Sequence, residues 1–162
     1  MQQWYFNKQF GPYTGNRYDP EDIEIEERPT PNHTFDEEQW QAPPEPTLEQ
    51  LKTAKLVELS DRCTEEIELG FESTALGSVH HYGGKLDNQM NLFGGVLLGT
   101  SIPHTCTDSE GIKTQRLHTN AQIKKALQDG GIAKIALTAK YNGLRSEVNA
   151  ATNKEELAAI VW

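Results

Sequence analysis

The sequence predicts an α+β fold: a small antiparallel sheet with several helices, preceded by an extended proline-rich N-terminal arm. Three observations carry this. Seven of the eight prolines fall before residue 47. Apolar residues recur at helical spacing after residue 47, each run opened by capping residues. Between about residues 70 and 118 that spacing gives way to short β-prone runs divided by glycines. A length of 162 residues leaves room for one ordinary domain and an appendage. The expected division is an arm over 1–46 and a domain over 47–162.

The arm contains Pro12, Pro20, Pro29, Pro31, Pro43, Pro44 and Pro46, a density that opposes helices and central strands. It also contains Trp4, Tyr5, Phe6, Phe10, Tyr13, Tyr18, Phe35 and Trp40, which are 8 of the 13 aromatic residues. A solvated linker is poor in aromatics. One reading is a short hairpin around Gly11-Pro12 and Gly15-Asn16. The preferred reading is a docking arm with too few aliphatics for a core of its own. Its rings then press into another subunit, as aromatic anchors do at interfaces. The residues expected to bind a partner are Trp4, Tyr5, Phe6, Tyr13, Tyr18 and Trp40.

Thr47 and Gln50 form a capping box at the start of the first helix. Leu48, Leu51, Leu56, Leu59, Cys63 and Ile67 make its apolar stripe, and Gly70 stops it. The stripe suits a core-facing helix, the commoner case, or a seam between copies. Phe71, Ser78–Tyr82, Leu92–Leu98 and Lys113–His118 read as strands, with turns at Gly83-Gly84, Gly94-Gly95 and Asp108–Gly111. Thr119 and Gln122 open a second helix that Asp129-Gly130-Gly131 is expected to end. Ile132–Leu137 fits strand or helix. Leu144, Val148 and Ala151 mark a further helix, and Thr152 with Glu155 caps a last one.

Charge narrows the function classes. The first 50 residues hold 11 acidic and 3 basic residues, a charge of −8, within a total of −9. A phosphate backbone needs a basic face, so nucleic acid is not an expected partner, and an anionic membrane surface is disfavoured for the same reason. A basic protein surface fits. No apolar run reaches the length of a membrane span. The opening MQQWYFNKQF lacks the features of a secretory signal, so synthesis and first residence in a cytosol are expected. Cys63 and Cys106 are too few for a disulfide framework, and a buried thiol is expected at Cys63.

His80, His81, His104, Cys106 and His118 are candidate metal ligands, and His104-x-Cys106 suits one face of a strand. No CxxC or HExxH pattern accompanies them, and surface or hydrogen-bonded histidines are the simpler reading; no metal or other cofactor is expected. Asp87, Asn88, Gln89 and Asn91 form a polar knot able to bind a sugar or, more commonly, to brace a loop. Phosphate-loop, GxSxG and dinucleotide signatures are missing. Ser73 and Ser78 have histidines nearby in sequence but no arranged base and acid. A non-enzyme is expected.

Residues 63–95, CTEEIELGFESTALGSVHHYGGKLDNQMNLFGG, resemble a phage-tail module of unknown function. The matching positions are Ile67, Gly70-Phe71, Ser73, Ala75-Leu76-Gly77, Tyr82, Asp87, Gln89 and Asn91-Leu92. In one departure, Asn88 separates Asp87 from Gln89, which the pattern has adjacent. The closing AATNKEELAAIVW is also similar, so the resemblance covers roughly 47–162; YFNKQFGPYTG looks like segments attached to such modules. The resemblance implies a context, phage tails and tail fibres, and no catalytic residue. The expected function is a structural component of the virion: a tail-tip, baseplate or tail-fibre adaptor. It would be made in the host cytoplasm, dock onto other tail proteins through its arm and support host recognition. The alternatives are a tail-fibre assembly chaperone and, less favoured, a tail-associated enzyme acting on envelope polymers. A homo-oligomer, a trimer by analogy with fibre parts, completes the expectation.

Overall fold

Residues before Thr47 do not run as one extended arm. The computed structural model describes residues 3–36 and 39–162 and divides them into two compact units, Met1–Pro46 and Thr47–Trp162. In the first, β1 (Trp4–Asn7), β2 (Gly11–Thr14) and β3 (Ile23–Ile25) form an antiparallel sheet in the order β2-β1-β3. A second ladder pairs β4 (Thr34–Phe35) with β5 (Trp40–Gln41). Side chains alternate across a strand, so Trp4 and Phe6 share one face of β1 while Tyr5 takes the other. Trp4 meets Trp40 at 5.6 Å between ring centroids, Phe6 meets Phe35 at 5.0 Å, and Phe35 meets Trp40 at 5.2 Å. Aromatic area thus does what the missing aliphatics cannot. Pro12 is tolerated because β2 is an edge strand.

The second unit opens with α1 (Leu48–Leu69), whose capping box joins Thr47 and Gln50 in both directions. Then follow β6 (Phe71–Ser73), β7 (His80–Tyr82), α2 (Leu86–Leu98), β8 (Ile102–Thr107), β9 (Lys113–His118), α3 (Asn120–Ala150) and α4 (Lys154–Ala159). The four strands make one antiparallel sheet in sequence order. Two clusters form the core. Phe71, Tyr82, Leu92, Cys106, Ile123 and Ala126 lie between the sheet, α2 and the first half of α3. Leu59, Val148, Ala151, Leu157 and Ile160 join α1, the end of α3 and α4. At 31 residues, about 46 Å, α3 is long enough to serve both.

Two expectations need correction. Leu92–Leu98 is helical, not a strand: Leu92 and Gly95 turn inward three positions apart, while Phe93, Leu97 and Leu98 stay exposed. A short apolar run has no periodicity to separate the two states. Asp129-Gly130-Gly131 does not end a helix. A Cβ on Gly130 would stand 2.6 Å from the Phe71 ring, so this glycine lets α3 lie against β6. Ile132–Leu137 and Leu144–Ala150 are therefore continuations of α3. The α1 stripe, by contrast, follows the commoner of its two readings and is a core face: Leu48, Leu51, Leu56 and Leu59 pack in the second cluster of their own chain.

Candidate functional site

The six residues read as partner-binding separate by sheet face. Phe6 is buried, and Trp4 and Trp40 complete the small aromatic core; Trp40 also donates its indole N–H to the Glu26 carbonyl at 2.7 Å and lies under Arg28 at 5.5 Å. Tyr5, Tyr13 and Tyr18 belong to a different group. Tyr5 stacks on its cross-strand partner Tyr13 at 5.7 Å, Phe10 meets Tyr13 at 5.4 Å, and Tyr18 meets Phe10 edge-on at 5.7 Å. Tyr18 is 80% exposed and Phe10 54%. The result is a row of four rings on an acidic unit, half-buried at Tyr5 and Tyr13 and exposed at Phe10 and Tyr18. Phe10, which sits in a turn, was absent from the expected set.

A buried carboxylate organises this row. Asp22 accepts from the Tyr13 hydroxyl at 2.6 Å, from Asn7 Nδ2 at 2.6 Å and from the Asp19 N–H at 2.7 Å. Burial works against its charge, but these donors outweigh burial and hold its pKa below the usual carboxylate value. Burial and then the bond to Asp22 push the Tyr13 hydroxyl upward. Tyr13 in turn accepts from the Tyr18 N–H at 2.7 Å, fixing the position of the most exposed ring.

In the second unit, the sheet face under α2 and α3 gathers Ser73, His80, Tyr82, His104, Cys106 and His118, all buried. His118 Nδ1 lies 2.7 Å from the Arg116 carbonyl, which requires that it donate; Nε2 is then free to accept from the Tyr82 hydroxyl at 2.8 Å. His104 stacks on Tyr82 at 5.9 Å, and its Nε2 is buried without a partner. Burial depresses the pKa of both histidines, and for His104 the neighbouring His118 adds to it. Burial raises the Tyr82 hydroxyl far above its ordinary value. Among the described residues no group of His, Cys, Asp or Glu is arranged to hold a metal ion. His81 bonds the Leu69 carbonyl at 2.8 Å and His80 the Ser78 carbonyl at 2.9 Å. Ser73 donates to Asp129 at 2.6 Å and accepts from the Ala75 N–H. That serine ties the β6–β7 hairpin to α3.

The residues behind the phage-tail resemblance build the corner where α1 meets the sheet. A Cβ on Gly70 would collide with the Tyr82 carbonyl, and one on Gly84 with the Ile67 carbonyl. Phe71 stacks on Tyr82 at 5.6 Å, and Gln89 donates to the Gly84 carbonyl. These positions answer to packing. Of the polar knot, Asn88 and Asn91 instead line a groove of about 420 Å³ beside β8, with Pro103, His104, Thr105 and Gln115. Comparisons with protein-family models, with curated proteins and with solved structures return no match to this chain.

Proposed function

We propose that this chain is a non-catalytic docking component of a bacteriophage tail, an adaptor at the tail tip, baseplate or fibre that stays in the virion. The tail context rests on the resemblance of residues 63–95. The docking role rests on one observation: the ring row Tyr5–Tyr13–Phe10–Tyr18, half-buried at Tyr5 and Tyr13 and exposed at Phe10 and Tyr18, on a unit that carries most of the negative charge. Exposed rings give contact area at little entropic cost, and surrounding acids favour a basic partner and speed encounter with it. The partner is thus another tail protein with a basic, ring-accepting surface. Tyr5, Tyr13, Tyr18 and Phe10 are its contacts in this reading, while Trp4, Phe6 and Trp40 hold the unit together.

Mass spectrometry of purified particles tests the reading. The chain should be present at a fixed copy number, and Phe10→Ala with Tyr18→Ala should reduce its incorporation at least about tenfold without unfolding it. Absence from particles whose fibres are complete would identify an assembly chaperone instead.

A further inference from the structure

Helix α2 and strand β8 border a groove of about 420 Å³, within the roughly 300–1,000 Å³ typical of small-molecule sites. Asn88, Asn91, Gly95 and Leu98 recur at spacings of 3, 4 and 3, so one stripe of α2 forms a wall. The other wall is the edge of β8 that β7 leaves open. Strand β7 pairs with β8 only at His81↔Thr107, whereas β9 pairs along all of Ile102–Thr107. The Asp108 N–H donates to the Ile112 carbonyl, which sets the alternation of the β8–β9 ladder. The backbone groups of Pro103 and Thr105 therefore point away from β9. Among the described residues they form no hydrogen bond outside that ladder.

The side chains add unused polar groups and no charge. Among the described residues the carboxamides of Asn88, Asn91 and Gln115 form no hydrogen bond, and each carries both donors and an acceptor. No acidic or basic side chain lines the groove apart from His104, which is neutral at pH 7 because burial lowers its pKa. Its buried Nε2 has no partner among the described residues. Buried polar atoms are nearly always paired, so this one marks a place for a polar group from outside the chain. Gly94 also lines the groove, and a Cβ there would meet nothing within 4 Å. Glycine inside a helix is destabilising relative to alanine, and no packing inside the unit requires it here. It leaves the helix backbone open to a ligand.

We infer that this groove binds a neutral, polyhydroxylated ligand, a short uncharged oligosaccharide. A sugar hydroxyl donates and accepts, as do the carboxamides and the open Thr105 backbone. The C–H face of a sugar ring suits the apolar Ile102, Pro103 and Leu98 side chains of the lining. An ionic ligand would lose hydration and gain no opposite charge. An added peptide strand needs a longer edge, and Pro103 has no N–H to offer one. The inference stands on this groove alone and is independent of the tail reading.

An array of neutral and sialylated oligosaccharides, probed with the full chain, tests it. The best neutral ligand is then titrated against isotope-labelled full chain by nuclear magnetic resonance. The expected Kd is about 1 mM or tighter, with amide shifts centred on α2 and β8. Asn91→Ala and Gln115→Ala, both at exposed positions, should each weaken binding about threefold or more with an unchanged circular dichroism spectrum. Gly94→Leu, whose side chain has room only by entering the groove, should keep the fold and weaken binding about tenfold or more. No neutral binding up to about 10 mM, a preference for sialylated chains, or shifts centred elsewhere would overturn the inference. So would an affinity that survives both Asn91→Ala and Gly94→Leu.

Discussion

His104 and His118 are inside the sheet's covered face with depressed pKa values, and that makes the second unit acid-sensitive in a defined window. Each ring is harder to protonate folded than unfolded, so between the folded pKa and about 6.5 the unfolded chain binds more protons. Stability from these two groups is complete above about pH 6.5 and declines as the pH falls through that value toward the folded pKa. Burial is the main cause for both rings, with His118 adding to it at His104 and with His80 and the Arg116 guanidinium, which Asp108 pairs at 2.6 Å, adding to it at His118. Asp22, Asp108, Asp129 and Glu156 have lowered pKa values, so they add a second loss only near and below about pH 4. Thermal melts should show the melting temperature falling by roughly 5 °C between pH 7 and 5, ahead of the carboxylate limb. A flat profile there would mean the rings take up protons without loss of the fold. Little of this was visible in the sequence. His104-x-Cys106 correctly placed two side chains on one strand face, but which face α2 and α3 would cover depends on residues more than ten positions away.

Helix α3 puts two glycines side by side with opposite duties. Gly130 faces the Phe71 ring, itself stacked on Tyr82, whereas Gly131 faces open space. Gly130→Ala should therefore destabilise the protein by about 1–3 kcal/mol through overpacking. Gly131→Ala should stabilise it by about 0.5–1 kcal/mol, because only the helix propensity changes. Chemical denaturation of the two variants measures both, and equal effects would show that Phe71 yields freely. The dipeptide reads as a helix stop because glycine is a common terminator. Its tertiary purpose, close approach of a helix to β6, has no local signature. The same limit applies to α2, where the apolar residues of 92–98 include both a buried row and an exposed one.

The whole chain consists of two units with separate cores, one of aromatic rings and one of aliphatic and mixed clusters. A chain shortened to residues 47–162 should keep both clusters of the second unit and unfold in one cooperative transition, with a melting temperature within about 3 °C of the corresponding full-length transition. Loss of cooperativity on shortening would mean that the first unit completes the larger core. The first unit, in turn, should lose its near-ultraviolet aromatic signal when Asp22 is replaced by alanine, because Tyr13, Asn7 and the 19–22 turn all converge on that carboxylate.

By itself the sequence determined the α+β class, the capped helix starts at Thr47 and Thr119, the stop at Gly70 and strands at Phe71, within Ser78–Tyr82 and at Lys113–His118. Each depends on residues within a turn or two of one another, where capping and periodicity operate. Tertiary structure alone decided that Trp4, Phe6 and Trp40 turn inward while Phe10 and Tyr18 stay out. It also decided that the α1 stripe meets α3 and α4, and that Gly84, Gly95 and Gly130 are required by distant neighbours. The physical reason is the same in each case. A residue's spacing is a local property of the chain, whereas the surface that covers it is brought there by the fold.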